Sequence, residues 1–253
     1  SNMGAYPIGC EALYFAGCTD PYAQNYNEFA VIDDNSCYGY PSLDNYKLSF
    51  DGVDDEVDII LNNGDELLNS SPATISFWYK ILNTHSTTVP LLVSHEFPED
   101  NFFQFKLDYE KQKVVFQITD LGNEIQDTLE SIDPIEYDVW HHAAATVDGE
   151  FIKFYVNAVI QDSVSNGLVY DFISTENRLR LGYSDRIGGG TFSNIYLDEF
   201  SIWEVSLGKT QVNNIMVAEL YGEEPGLINL WKFNEGEGDI LFDHSGDFSH
   251  GII

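Results

Sequence analysis

The sequence predicts an all-β protein: a jelly-roll sandwich of two antiparallel sheets with one short helix, preceded by a small N-terminal module closed by a disulfide. Three observations lead there. Apolar and aromatic runs of strand length recur between Gly, Asn and Asp turns from residue 46 to residue 235. One segment alone switches to helical spacing. Residues 1–41 contain the three cysteines and too few aliphatic residues for a core of their own.

The texture changes after "YGYPSLDN", which places the boundary near residue 42: a cysteine-containing module and linker over 1–41, and a β domain over 42–253. In the latter, "YKLSF" and "EVDIIL" flank a turn-forming "DGVDD". The runs "ATISFWYKIL", "VPLLVSH", "NFFQFKLDY", "KVVFQITD", "VWHHAAATV", "FIKFYVN", "NRLRLGY", "IYLDEFSIW" and "INLWKFNE" follow as further strands. Asp148-Gly149 opens a tight hairpin turn. In "GKTQVNNIMVAELYG" the apolar residues Val212, Ile215, Met216 and Leu220 fall near helical spacing, with Gly222 as the stop. Many regular strands with one helical excursion fit two packed antiparallel sheets.

Charge narrows the partners. Eleven Lys and Arg face 42 Asp and Glu, a formal charge of −31, which repels nucleic-acid phosphates and anionic headgroups. Polyanionic partners are not expected. The same surplus supplies oxygen donors for hard divalent cations, although a solvated acidic surface accounts for most of it equally well. No apolar run is long enough to span a bilayer. The opening Ser-Asn-Met has the look of a cloning remnant, so we expect a fragment of a longer secreted or cell-surface protein.

The stretch "GCTDPYAQNYNEFAVIDDNSC" lacks the short Cys spacing of a zinc site, and the first histidine is His85. Its acidic residues miss the EF-hand register. An ordered segment with so little aliphatic content needs covalent closure, and Cys18 and Cys37 are placed to provide it, contributing roughly 3 kcal/mol by loop-closure entropy. Cys10 is left over. The stretch also resembles a short repeat of secreted bacterial surface proteins, with Gly-Cys-Thr-Asp, then Asn-Tyr-Asn, then Asp-Asp-x-Ser-Cys. It departs at Asn35, where the repeat has Gly, and at Gln24, where some copies carry a third cysteine. The resemblance implies an extracellular spacer, with calcium held by Asp20, Asn25, Asn27 and Asp33; a solvated disulfide loop without metal stays open as the alternative.

"LSFDGVDDEVDI", "ISFWYK", "WHHAAATVDGEFIKFYVNAV", "LRLGYSD", "YLDEFSIW" and "LINLWKFNEGEGDILFDHSGDFSHG" together, in this order, resemble the laminin-G-like or pentraxin-like branch of the concanavalin A-like lectin/glucanase superfamily. The resemblance covers about residues 46–253. It implies a jelly-roll sandwich, secretion, frequent calcium binding, and a role as a carbohydrate-binding or adhesive module.

Residue chemistry gives a calcium site independent footing. Period two along "YLDEFSIW" places Asp198 with Phe200 and Ile202 on the core face, where a carboxylate is costly without a cation. Asp51 ends a strand and opens an Asp-Gly turn whose carbonyls can also face a metal. The family positions matching Asp51 and Asp198 are usual calcium ligands, and Asp54 or Asp55 would complete the shell. The competing expectation is an Asx-turn at Asp51 and a turn cap at Asp198.

A retaining glycosidase needs two carboxyls roughly 5 Å apart. Glu199 and Glu204 have Ser201 between them, and their odd spacing sets them on opposite faces unless a bulge intervenes. His141 and His142 are adjacent and read as sheet-packing residues. We therefore expect no catalysis. For ligand binding, "GYSDRIGGGTF" offers Tyr183, Asp185 and Arg186, and "SHEFPEDNFF" offers His95, Asp100 and Asn101, as rim residues for a glycan or a cell-surface protein. Trp78, Trp140, Trp203 and Trp231 lie in strand runs and are expected in packing roles. The functional expectation is a non-catalytic, calcium-stabilised extracellular adhesion or carbohydrate-binding module; a glycan-active enzyme with an atypical catalytic set, or a structural spacer, is the alternative.

Overall fold

A computed structural model describes residues 15–42, 46–62, 72–82, 91–96, 102–120, 125–165, 178–184 and 190–253. The chain divides into two compact units, Ser1–Tyr40 and Pro41–Ile253.

The first unit carries β1 (Phe15–Ala16) and β2 (Ala30–Ile32), paired in parallel. Cys18 and Cys37 are bonded, with Cα atoms 4.7 Å apart, and both sulfurs are buried. Turns held by carboxylates and carboxamides supply most of the remaining order. Asp33 accepts from the Thr19 amide and hydroxyl at 2.8 and 2.7 Å and from the Asn35 amide at 2.7 Å.

The second unit opens with β3 (Leu48–Asp51), β4 (Val57–Ile60), β5 (Ala73–Ile81), β6 (Leu91–Glu96), β7 (Phe102–Asp108), β8 (Lys113–Asp120) and β9 (Ile125–Glu130). There follow β10 (His141–Val147), β11 (Phe151–Val156), β12 (Val159–Ser165), β13 (Arg178–Leu181), β14 (Tyr183–Ser184), β15 (Thr191–Phe192) and β16 (Asn194–Trp203). Helix α1 (Lys209–Val217) precedes β17 (Leu227–Trp231), β18 (Ile240–Leu241) and β19 (Gly251–Ile252). A seven-stranded sheet runs β12-β11-β10-β5-β16-β17, with β3 also on β16. An eight-stranded sheet runs β18-β19-β4-β13-β6-β7-β8-β9. All pairings within both are antiparallel, and the jelly-roll sandwich is thus formed.

Alternation builds the core between the sheets. Phe77, Phe154, Phe200 and Trp231 come from the seven-stranded sheet, and Phe103, Phe105, Phe116 and Leu179 from the eight-stranded one; all are fully buried. Phe77 meets Phe105 edge-on at 4.9 Å across the interface, and Phe200 stacks on Trp231 at 5.2 Å. Gly182 permits this closure: a Cβ there would lie 2.2 Å from the Phe50 ring, and its φ is +81°.

The hairpin opens at Asp148-Gly149, with Gly149 at φ +80° and Asp148 Oδ1 accepting from the amides of Glu150 and Phe151 at 3.0 and 2.7 Å. The "DGVDD" turn joins β3 and β4, which lie in different sheets, so it forms a sandwich corner. Helix α1 is shorter than its sequence spacing suggests. Leu220 still packs with Val212, Ile215, Trp203 and Tyr155 on the outer face of the seven-stranded sheet, but the chain beyond Ala218 is no longer helical. There the Glu224 carboxylate takes the Tyr221 and Gly222 amides at 2.7 and 2.9 Å.

The tryptophans divide differently from the expectation. Trp231 is core and Trp203 lies under α1, but Trp78 and Trp140 are only half-buried. Trp78 pairs with His142 and Asp198 on the outer face of the seven-stranded sheet, because the core-facing alternates on β5 are Phe77 and Tyr79.

Candidate functional site

Strand order brings distant polar residues into one transverse line on the outer face of the eight-stranded sheet. In register across six strands stand Asp58 on β4, Arg180 on β13, Ser94 on β6, Gln104 on β7, Gln117 on β8 and Thr128 on β9. Their neighbours Ile59, Leu179, Phe103 and Ile118 point the other way, into the core. Asp58 accepts from Arg178 Nε at 2.8 Å and Arg180 Nε at 3.2 Å, with a second bond from Arg178 Nη2 making a fork. Gln117 Oε1 accepts from Gln104 Nε2 at 3.0 Å and from Lys106 Nζ at 2.6 Å. Gln104 and Gln117 are 4% and 6% exposed, so these carboxamides are held rather than free to rotate. Burial lowers the Lys106 ammonium, with Asp108 acting against the shift. Arg178, Arg180 and Lys106 thus lie together on this face.

Of the residues expected to bind ligand, Tyr183 borders this face. Its ring lies 5.3 Å from the Arg180 guanidinium carbon and 4.7 Å from the Phe192 ring. His95 lies within β6, in register with Leu179 on β13 and Phe103 on β7. Asp100, Asn101, Asp185 and Arg186 lie outside the described residues, as does Cys10.

The expected cation ligands fall in separate places. Asp51, Asp54 and Asp55 are exposed at the sandwich corner and offer carboxylate oxygens within 4.8 Å of one another. Asp51 Oδ1 accepts the Val53 amide at 2.7 Å and Asp55 Oδ2 the Asp51 amide at 2.8 Å, so the Asx-turn is present. Each carboxylate keeps further lone pairs, and three hard-oxygen donors in one turn suit calcium. Asp198 is not among them. Asp51 stands opposite Asn194, and Asp198 is four residues further along β16, about 13 Å away.

The facing expected for Asp198 is also corrected. Between Asp198 and Ser201 the register against β5 jumps, and Glu199 adopts φ +47°. This bulge breaks the period of two, so Asp198 shares the outer face with Tyr196 while Phe200 and Ile202 turn inward. Its carboxyl remains half-buried and accepts a 3.0 Å bond from the Glu199 amide. Burial pushes it up to about 7, with the Glu199 carboxylate adding to the rise and that amide bond and Lys47 opposing it.

In the N-terminal unit, Asp20 accepts the Tyr22 amide at 3.0 Å, Asn27 the Phe29 amide at 3.1 Å, and Asn25 the Tyr38 amide at 2.9 Å. Burial raises the Asp33 carboxyl, but its bonds from Thr19 and Asn35 outweigh this and hold it below the usual range. These side chains act as turn acceptors as they stand.

Glu199 and Glu204 do not form a carboxyl pair. Ser201 is buried and bonds Ser76 Oγ at 2.8 Å and Trp203 Nε1 at 2.9 Å, and Glu204 is exposed just past β16. Burial lowers both adjacent histidines, His142 to about 4; His141 stacks on Tyr79 and His142 meets Trp78 edge-on.

Sequence reasoning missed the ladder. Alternating polar residues in "VDII", "RLRL" and "FFQFKLD" read as a solvated strand face, and only the non-local order of β4, β13, β6 and β7 joins them.

Comparison with known proteins fits this architecture. A laminin G family model, described as the concanavalin A-like lectin/glucanases superfamily, matches residues 51–213. No curated protein matches the chain. Among solved structures, the botulinum neurotoxin serotype D binding domain is similar with a TM-score of 0.55 at 16% identity, over 67% of this chain and 41% of that one. A proposed carbohydrate binding protein from Bacteroides ovatus gives 0.57 at 13% identity, over 82% and 58%. The chain spans less than two thirds of the length of either. The CBM40 of the Ruminococcus gnavus IT-sialidase, bound to α2,3-sialyllactose, gives 0.52 at 14%, over 68% and 96%. At such identities the likeness is one of fold, while the family match covers more than half of the sequence. By that match the chain belongs to the concanavalin A-like lectin/glucanases superfamily.

Proposed function

We propose that the protein is an extracellular, non-catalytic module that binds glycans, and through them cell surfaces, on the outer face of its eight-stranded sheet. The observation that carries this reading is the transverse ladder from Asp58 to Gln117. Sugar hydroxyls and acidic sugar groups are recognised by fixed hydrogen-bonding groups, and here Arg178 and Arg180 are held by Asp58, and Lys106 by the buried Gln104–Gln117 pair beneath it. Tyr183 beside Arg180 adds an aromatic edge. Two structural neighbours, one named as a carbohydrate binding protein and one a CBM40 bound to α2,3-sialyllactose, support the same class of function. The Cys18–Cys37 bond supports an oxidising, extracellular setting.

Calcium is proposed at Asp51, Asp54 and Asp55, where it would pin the corner between β3 and β4 without touching the ladder.

The test is binding to a glycan array by wild type and by a variant with Arg178→Ala and Arg180→Ala together. Wild type is expected to bind a subset of glycans and leave them intact, and the variant to lose at least tenfold in affinity. Equal binding by both proteins, or release of new reducing ends from any bound polysaccharide, would overturn the reading.

A further inference from the structure

Where the chain crosses from β9 to β10, a cavity of about 350 Å3 opens between the two sheets. Tyr79 from β5 and Val114 from β8, both core residues, line its inner part. Asp133, Glu136 and Val159 line it too and are exposed, so they mark its mouth. It shares no residue with the ladder or with the Asp51 corner.

The cavity is preformed, because its walls are tied down by bonds of their own. The Ser131 and Ile135 amides donate to the Val114 and Gln112 carbonyls at 2.9 and 2.8 Å, and the Ile132 amide donates to Gln161 Oε1 at 2.8 Å. On the other side, Asn157 and Ala158 turn β11 into β12 with φ of +50° and +58°. Asn157 fastens that turn to β10: its amide donates to the His142 carbonyl at 2.8 Å, and its Oδ1 accepts the His142 amide at 2.9 Å.

Two polar groups of the wall lack partners. Tyr79 is 1% exposed, and its hydroxyl makes no hydrogen bond among the described residues; burial alone pushes the phenol up. The His141 ring stacks on it at 5.6 Å. Asn157 fixes the tautomer of that ring. With Oδ1 engaged by the His142 amide, Nδ2 is the atom 3.2 Å from His141 Nδ1 and can only donate, so the neutral ring carries its proton on Nε2. Nε2 is buried without a hydrogen-bond partner. Burial keeps the ring neutral, against the carboxylate and carbonyl of Glu136. Buried polar groups are nearly always paired, and the exceptions call for a partner from outside the fold.

We propose that this cavity binds a small organic ammonium compound: its amine at Asp133 and Glu136, its apolar body along Val114, Ile135 and Val156, and an inner carbonyl or hydroxyl on the Tyr79 hydroxyl. Each part of the ligand answers a part of the wall. The mouth carboxylates form no ion pair among the described residues, and with a chain charge of −31 they draw in cations and repel anions. A bare metal ion would stay at the mouth and leave the apolar walls and Tyr79 unused. The volume lies at the lower end of the roughly 300–1,000 Å3 typical of small-molecule sites. This site goes beyond glycan binding and stands independently of the ladder.

Three six-carbon amides test it, titrated at neutral pH into the whole isotope-labelled chain: cationic 6-aminohexanamide, neutral hexanamide and anionic adipamate. By amide chemical shifts, 6-aminohexanamide is expected to bind with millimolar affinity and to move Tyr79, Ser131 and Asn157. Hexanamide should bind about fivefold more weakly, and adipamate not at all. Asp133→Asn with Glu136→Gln, both at exposed positions, should reduce 6-aminohexanamide to the hexanamide level and leave hexanamide unchanged. Tyr79→Phe should weaken both amides about fivefold and leave hexylamine, which has no acceptor, unaffected. The site is overturned if 6-aminohexanamide moves none of these amides, if adipamate binds as well, or if the double variant keeps wild-type affinity. Should Tyr79→Phe unfold, the exposed double variant still decides. The variant with Arg178→Ala and Arg180→Ala should bind 6-aminohexanamide like wild type, so failure of the cavity leaves the glycan reading standing.

Discussion

Replacing Asp198 by Asn should make the protein more stable at pH 8 in EDTA and leave it almost unchanged at pH 4. An ordinary Asp titrates near 3.8, and burial beside Glu199 pushes Asp198 up to about 7 in the folded state. Below 3.8 both folded and unfolded chains hold the proton and the group contributes nothing. As pH rises, the unfolded chain ionises first, and stability falls until the folded carboxyl has also ionised, above 7. Three pH units at 1.36 kcal/mol each set the full penalty at about 4 kcal/mol. Asn keeps the oxygen that accepts the Glu199 amide, so the variant removes the charge and retains the bond. Urea unfolding at pH 4, 6 and 8 measures the difference. A gain that is absent at pH 8, or as large at pH 4, would refute the account of Asp198 as an uncompensated charge. Repeating the series with millimolar calcium separates this from the role that family resemblance implies. If an ion neutralised Asp198, calcium would stabilise wild type alone and erase the advantage of the variant.

Two further outcomes follow from the same residues and their surroundings. Asp54→Asn is expected to weaken calcium binding, read by isothermal titration and by the rise in melting temperature on adding calcium, while EDTA should lower the melting temperature of wild type only; a wild type indifferent to both removes the corner site. His142, held at about 4 by burial, binds its proton less readily than the unfolded chain, so stability should fall by up to about 3 kcal/mol between pH 6.5 and 4, and His142→Gln should flatten that fall.

Much of the sandwich was legible because its strands announce themselves locally. Each of the eleven runs picked out by apolar and aromatic content overlaps a strand, from β3 at Leu48 to β17 at Trp231. The strands that escaped notice are those whose side chains do little burying. In β12 every residue is exposed or intermediate, and in β9 Leu129 is the buried side chain among those described. Both are edge strands, where polar residues protect the open ladder, so the absence of a hydrophobic signal reflects their position.

The site was harder to read for two different physical reasons. Asp58 and Arg178 are 120 residues apart, and their pairing depends on β13 lying between β4 and β6, an order that no local pattern encodes. Asp198 failed locally instead. A period-two reading assumes an unbroken ladder, yet a single αL residue at Glu199 reversed the facing of everything behind it relative to everything ahead. Glu has no conformational preference that would flag such a position, unlike the glycines at Gly149 and Gly182. The bulge is what keeps Phe200 and Ile202 in the core while presenting Asp198 beside Trp78, and a straight strand could not do both. A deletion of Glu199 should therefore spare the fold: with the surplus residue gone, strict alternation keeps Leu197, Phe200 and Ile202 inward and leaves the Asp198 carboxylate outward beside Trp78. A variant that no longer melts cooperatively would refute the reading of Glu199 as the extra residue of the bulge.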